Sequence, residues 1–128
     1  MLTRRTFLAA AAIFLPGSVL AHGESARGAH GGVIGDLGDQ HIEMLAKDGE
    51  IRIWMLNAQD RPVSVVGATG SLIILAQGRQ QTLPLEQAEG AAFLLARGDF
   101  RAERGMRVVA SIAMPGKPQR QARFTPAD

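Results

Sequence analysis

Three histidines are the side chains best suited to chemistry in this 128-residue chain, and all of them lie near its amino terminus. They are His22, His30 and His41, and the carboxylate of Glu43 follows two positions after the last of them. Neutral imidazole is the commonest metal ligand in proteins, and carboxylates bind many of the same ions. The spacing therefore predicts a metal site formed by His22, His30, His41 and Glu43.

The first 21 residues are typical of an export signal. Arg4-Arg5 precede an apolar run that ends at Leu15, and Val19-Leu20-Ala21 is a small-residue cleavage site. The run is too short to span a bilayer, which takes about 20 apolar residues. The arginine pair followed by Thr-Phe-Leu resembles twin-arginine signals, with general secretion as the alternative. We expect cleavage after Ala21, export from the cytoplasm and no membrane insertion of the mature chain.

Cleavage would give His22 a free α-amine, which can chelate a metal together with its own imidazole. Nitrogen-rich sites favour Cu(II), with Zn(II) and Ni(II) as competitors, because affinity along the first-row series peaks at copper. Four of the five methionines lie beyond the signal, and their thioethers would select Cu(I) if they reached the site. Their strand-like spacing within apolar runs instead favours a role as core residues. The expected cofactor is a copper ion, Cu(II) or Cu(I), or Zn(II).

The same residues have structural interpretations. A histidine near a processing site is often only a tolerated polar residue, and His41 on a strand can be a half-exposed surface group. Glu43 can form a cross-strand charge pair with Arg52. The metal site is one of two hypotheses for these side chains.

Composition excludes several classes of function. The chain has 14 basic and 12 acidic residues, and removal of the two signal arginines leaves 12 of each. A neutral mature chain gives no reason to expect nucleic acid or anionic membranes as partners. The absence of cysteine excludes thiolate sites and disulfides. No Gly-x-Ser-x-Gly turn, HExxH motif, P-loop or dinucleotide fingerprint occurs, so a non-enzymatic protein is expected.

The elements that must position the histidines are predicted to be strands. Residues 40–46 and 51–56 alternate around Asp48-Gly49, which predicts a hairpin with a type I′ turn. Alternation places Ile42, Met44, Ile51, Ile53 and Met55 on the core face, and it places His41 and Glu43 on the opposite face. Six or seven strands at short intervals predict an all-β fold, a small antiparallel β-sandwich or barrel over residues 39–128. Residues 22–38, rich in glycine, are expected to be a flexible lead.

Several short motifs carry a resemblance that covers residues 28–125. They are His30-Gly31-Gly32, His41-Ile42-Glu43-Met44, Lys47-Asp48-Gly49-Glu50, Arg61-Pro62-Val63, Gly67-Ala68-Thr69-Gly70 and Ala122-Arg123-Phe124. With these motifs the chain resembles small exported β-sandwich proteins associated with heavy-metal efflux systems of Gram-negative bacteria. The resemblance implies a periplasmic location and a role in metal handling.

Two hypotheses of different classes follow. The first is a periplasmic metal-binding protein, a copper or zinc carrier, buffer or efflux accessory, whose partners are the metal ion and an efflux or envelope protein. The second is a non-catalytic interaction module of an envelope or export complex, in which the histidines bind no metal.

Overall fold

A computed structural model describes residues 27–128, which form ten β-strands and no helix. The strands are β1 (Val33–Leu37), β2 (Gln40–Lys47), β3 (Glu50–Leu56), β4 (Pro62–Val63), β5 (Thr69–Ala76), β6 (Arg79–Pro84), β7 (Glu86–Ala88), β8 (Phe93–Arg97), β9 (Arg107–Ala113) and β10 (Arg120–Phe124). The described residues include no helix long and apolar enough to cross a membrane. The predicted export signal and His22 lie outside the described residues.

The strands form two antiparallel sheets that pack against each other. The larger sheet has the order β1-β2-β3-β8-β7, with β4 also paired to β3, and the smaller sheet has the order β10-β9-β5-β6. One core of buried residues contains side chains from both sheets. The predicted all-β fold is confirmed, and of the two expected forms, sandwich or barrel, it is the sandwich. The described residues form ten strands where six or seven were expected.

The β2–β3 hairpin forms where the alternation predicts it. Its five core-facing side chains, Ile42, Met44, Ile51, Ile53 and Met55, are fully buried. The turn conformation differs from the prediction, because type I′ needs positive φ at both central residues and only Gly49 has it, at 75°. The carboxylate of Asp48 accepts the backbone N–H of Ala102 at 2.8 Å, and the Gly49 N–H donates to the carbonyl of Phe100. The neighbouring loop therefore helps to set this turn.

The glycines of residues 27–38 mostly allow close packing and do not make the segment flexible, contrary to expectation. Residues 33–37 are not part of a flexible lead but form β1, the edge strand of the larger sheet. Gly35 packs against the ring of Phe124, where any Cβ would overlap the ring. Gly28, Gly32 and Gly38 likewise lie where a Cβ would overlap a neighbouring group, and the expectation of a flexible lead was wrong for residues 33–37.

The methionines take the core role that their spacing favours. Met44, Met55 and Met106 are buried, and Met114 packs partly buried against the same core. Their thioethers are therefore occupied in packing between the sheets.

The loop of residues 98–102, here called the clamp loop, ties the two sheets together at one end. The side-chain amide of Gln77 bonds both the N–H and the carbonyl of Arg101, each at 3.1 Å, and Gln81 bonds the same two groups of Asp99. Both glutamines belong to the β5–β6 hairpin of the smaller sheet. The β2–β3 turn of the larger sheet bonds the other side of the loop, and Phe100 is buried in the core.

Candidate functional site

The outer face of the larger sheet holds a buried carboxylate, that of Glu43, which is only 1% exposed. Its Oε2 accepts the backbone N–H groups of His30, at 2.9 Å, and Gly32, at 2.8 Å. Its Oε1 lies 2.9 Å from Nδ1 of the His30 ring. Glu43 is thus the acceptor around which residues 30–32 fold onto the sheet, and three bonds from one segment compensate the cost of its burial.

Small residues allow this close approach. The Glu43 side chain contacts the backbone so closely that a Cβ at Gly28 would overlap its carboxyl group. A Cβ at Gly32 would overlap the carbonyl of Met44 in β2. The turn that carries His30 is closed by the Gly28 N–H, which donates to the Gly32 carbonyl at 2.8 Å. Glycine at both positions is what brings His30 to the sheet surface.

A stack on Trp54 fixes the plane of the His30 ring. The two ring centroids are 3.8 Å apart and the planes differ by 4°. Trp54 lies opposite Glu43 in the β2–β3 register and packs against Phe93, with centroids 5.4 Å apart. These aromatic groups belong to a second apolar cluster, separate from the main core. His30 is therefore held both through one ring nitrogen and over one face of its ring.

The hydrogen bond to Glu43 determines the tautomer of His30. A carboxylate only accepts, so in the neutral imidazole Nδ1 carries the proton and donates it to Glu43. Nε2 then has the free lone pair, and it makes no hydrogen bond to any residue between 27 and 128. Metal-binding histidines usually have this arrangement, with the second ring nitrogen donating to a carboxylate, a backbone carbonyl or water.

His41 has different partners. Its Nδ1 lies 2.7 Å from Asp60 and its Nε2 lies 3.2 Å from Asp36, so both ring nitrogens face carboxylates on opposite sides of the ring. Asp60 adopts a left-handed conformation, φ 58°, in a turn where the Asn57 side chain accepts two backbone N–H groups. The hydrogen bond to Asp60 raises the pKa of His41, and the charges of Asp60 and Asp36 act in the same direction.

This raised pKa gives a pH-dependent contribution to stability. Because the pKa of His41 in the folded chain lies above the ordinary 6.5, protonation of this side chain stabilises the fold. The contribution is fully present below pH 6.5 and is lost as the pH rises through the folded-state pKa. We expect the difference in urea midpoint between the wild type and His41→Asn to be largest at pH 5 and to shrink toward pH 8. Because His41 is largely exposed, the effect is small. A difference that stays constant from pH 5 to pH 8 would show that the charge of His41 does not stabilise the fold.

The structure divides the three predicted ligands that it describes between two places. It joins His30 to Glu43, places His41 with Asp36 and Asp60, and does not describe His22. Between residues 27 and 128 no group of three or more histidine and acidic side chains is arranged to hold one metal ion.

Two features of the site could not be predicted from the residue types of the candidate ligands alone. Trp54 is the stacking partner of His30, and the signal for it was its position on the same outer face as Glu43. The cross-strand pair of Glu43 with Arg52 does not form, because Arg52 Nε donates to Glu50 at 3.0 Å and its guanidinium lies over the Phe93 ring.

Comparison with protein-family models, with curated proteins and with solved structures finds no match to this chain.

Proposed function

We propose that this chain is a periplasmic metal-binding protein, a carrier or buffer of copper or zinc ions or an efflux accessory. Its ligand from the folded domain is Nε2 of His30. The observation that carries the proposal is the hydrogen bond from His30 Nδ1 to the buried carboxylate of Glu43, because it leaves Nε2 as a free lone pair on a fixed ring.

The roles of the four predicted ligands differ in this proposal. Both Glu43 oxygens already accept hydrogen bonds, so Glu43 orients His30 instead of binding the ion. His41 is not included, because each of its ring nitrogens faces its own carboxylate.

The second ligand group in the proposal is the mature amino terminus. His22 precedes Arg27, the first described residue, by five positions, and an extended chain covers about 3.3–3.6 Å per residue. A tether of roughly 17 Å is long enough for the amine and imidazole of His22 to reach His30, which follows Arg27 by only three positions. Three nitrogen donors would then meet one ion, a set that suits Cu(II) and Zn(II).

Calorimetric titration of the mature chain beginning at His22 with Cu(II) or Zn(II) tests this proposal. We expect binding at micromolar concentration or tighter, and an affinity at least about tenfold weaker in His30→Ala, since one of few ligands is lost. Acetylation of the amino terminus should weaken binding similarly. His41→Ala is the matched control and should bind as the wild type does.

The proposal fails if the folded mature chain takes up neither ion. It also fails if His30→Ala, with a circular dichroism spectrum like that of the wild type, binds with unchanged affinity. A loss in His41→Ala equal to that in His30→Ala would move the site to the His41 cluster.

A further inference from the structure

The outer face of the smaller sheet is the largest part of the sandwich that the candidate metal site does not use. Its outward positions are the odd-numbered residues of β5, β9 and β10 and the even-numbered residues of β6, as the strand register shows. The intervening residues, such as Leu72 and Ile74, point into the core. This set of outward positions is here called the B face.

The centre of the B face is apolar. Ile73 and Val109 are direct neighbours across β5 and β9, and Leu75 follows Ile73 along β5. Leu75 is 41% exposed, Ile73 and Val109 are half-buried, and none of the three belongs to either buried apolar cluster of the described residues. Ser71 lies beside Ile73 along β5, and Thr82 pairs with Ile73 from β6. An apolar centre of this kind on a sheet face is typical of a contact surface.

The charges on the B face are all of one sign. Arg107, paired with Leu75, and Arg123, paired with Val109, are its only charged residues, and no carboxylate occupies an outward position. Neither guanidinium forms an ion pair with another described residue. A shallow groove at the end of the face adds Arg104, with Glu103 as its acidic side chain, and also Arg79, whose guanidinium is paired with Asp99 at 3.3 Å. The neutral total charge of the mature chain thus conceals a locally cationic surface.

The outer face of the larger sheet has a different character. Residues 28–32 cover part of it, and its outward positions include the acids Asp36, Glu43, Glu50 and Glu86. The B face carries arginine without acid, so it is complementary to carboxylates. Two B faces in a twofold dimer would bring arginines toward arginines, which disfavours a second copy as the occupant.

We propose that the B face docks a protein partner whose contact surface has an apolar centre bordered by carboxylates. Ile73, Leu75 and Val109 pack against the apolar centre, and Arg107 and Arg123 pair with the carboxylates, which guanidinium groups can bind in a bidentate manner. Four strands at about 4.8 Å spacing and about seven residues in length give roughly 400 Å² of sheet, the size of a transient contact. The proposal does not depend on metal binding.

The test is an NMR titration of the ¹⁵N-labelled, metal-free mature chain with two matched synthetic helical peptides. Each peptide has a leucine stripe, bordered by glutamates in one and by lysines in the other. We expect only the glutamate peptide to shift the amide signals of β5 and β9, with a dissociation constant in the micromolar to millimolar range. The affinity should fall at least about fivefold in Arg107→Gln/Arg123→Gln and at high salt. Arg61→Gln/Arg97→Gln removes two exposed arginines elsewhere and should change nothing.

Four outcomes would overturn the proposal. Equal shifts with both peptides, or shifts that map to another surface, would show that the B face does not select carboxylates. A dimer in sedimentation that dissociates in Arg107→Gln/Arg123→Gln would make a second copy the occupant. Flotation of the chain with phosphatidylglycerol vesicles that requires the same arginines, without binding of the glutamate peptide, would assign the face to a membrane surface.

Discussion

Replacement of Glu43 by alanine is expected to lower the free energy of unfolding by about 3 kcal/mol. The carboxylate accepts three hydrogen bonds from residues 30–32, and its loss leaves the buried N–H of Gly32 without an acceptor. Urea unfolding followed by circular dichroism measures the change. Glu86→Ala, at an exposed position of the same sheet, is the matched control and should change stability by less than about 0.5 kcal/mol.

The Glu43→Gln variant separates hydrogen bonding from charge. Glutamine keeps one acceptor oxygen but presents an NH₂ group to one of the donors. We therefore expect a free energy of unfolding between those of the wild type and the alanine variant. A loss below about 1 kcal/mol in Glu43→Ala would mean that residues 28–32 are not held by this carboxylate. Metal affinity measured in the same variants should fall by about 10- to 100-fold if Glu43 orients a ligand.

Replacement of Trp54 by alanine is expected to destabilise the fold by about 3–5 kcal/mol, the usual cost of truncating a buried aromatic residue. Trp54 is 6% exposed and contacts both the His30 ring and Phe93. Trp54→Phe keeps an aromatic surface under His30 and should lose less than half as much. Urea unfolding by circular dichroism is the measurement, because Trp54 is the one tryptophan and its fluorescence disappears with it.

A double-mutant cycle connects these two predictions. Glu43 and Trp54 hold the same histidine, through Nδ1 and through the ring face. The combined Glu43→Ala/Trp54→Ala variant should therefore lose at least about 0.5 kcal/mol less than the sum of the single changes. Full additivity would show that the two side chains support the fold independently and that His30 does not couple them.

Local patterns in the sequence predicted most of the sandwich. Alternation identified the β2–β3 hairpin and its core face, because side chains of a strand half-buried in a sheet repeat with a period of two. The prediction of a flexible lead failed at residues 33–37 because glycine was taken as a sign of backbone flexibility. Gly35 instead permits contact with Phe124, a residue far along the chain, and composition does not report such a contact.

The site was predicted only in part, for the same reason. His30 and Glu43 were identified by side-chain type, and the structure joins them. His41 was grouped with Glu43 because alternation puts them on one face, but Asp60 lies in a loop whose return to His41 depends on the Asn57 turn. Periodicity describes which face a side chain occupies, and it does not describe which loops fold over that face.

The clamp loop has a consequence for engineering the protein. Gln77 and Gln81 bond its backbone as a neighbouring strand would, and the β2–β3 turn bonds its other side. Insertion of a tag, or a new pair of chain ends, within residues 98–102 would break the hydrogen bonds that this loop makes to both sheets. The turn at residues 115–118 is mostly exposed and joins only β9 to β10, so it is the position at which the chain should accept foreign sequence.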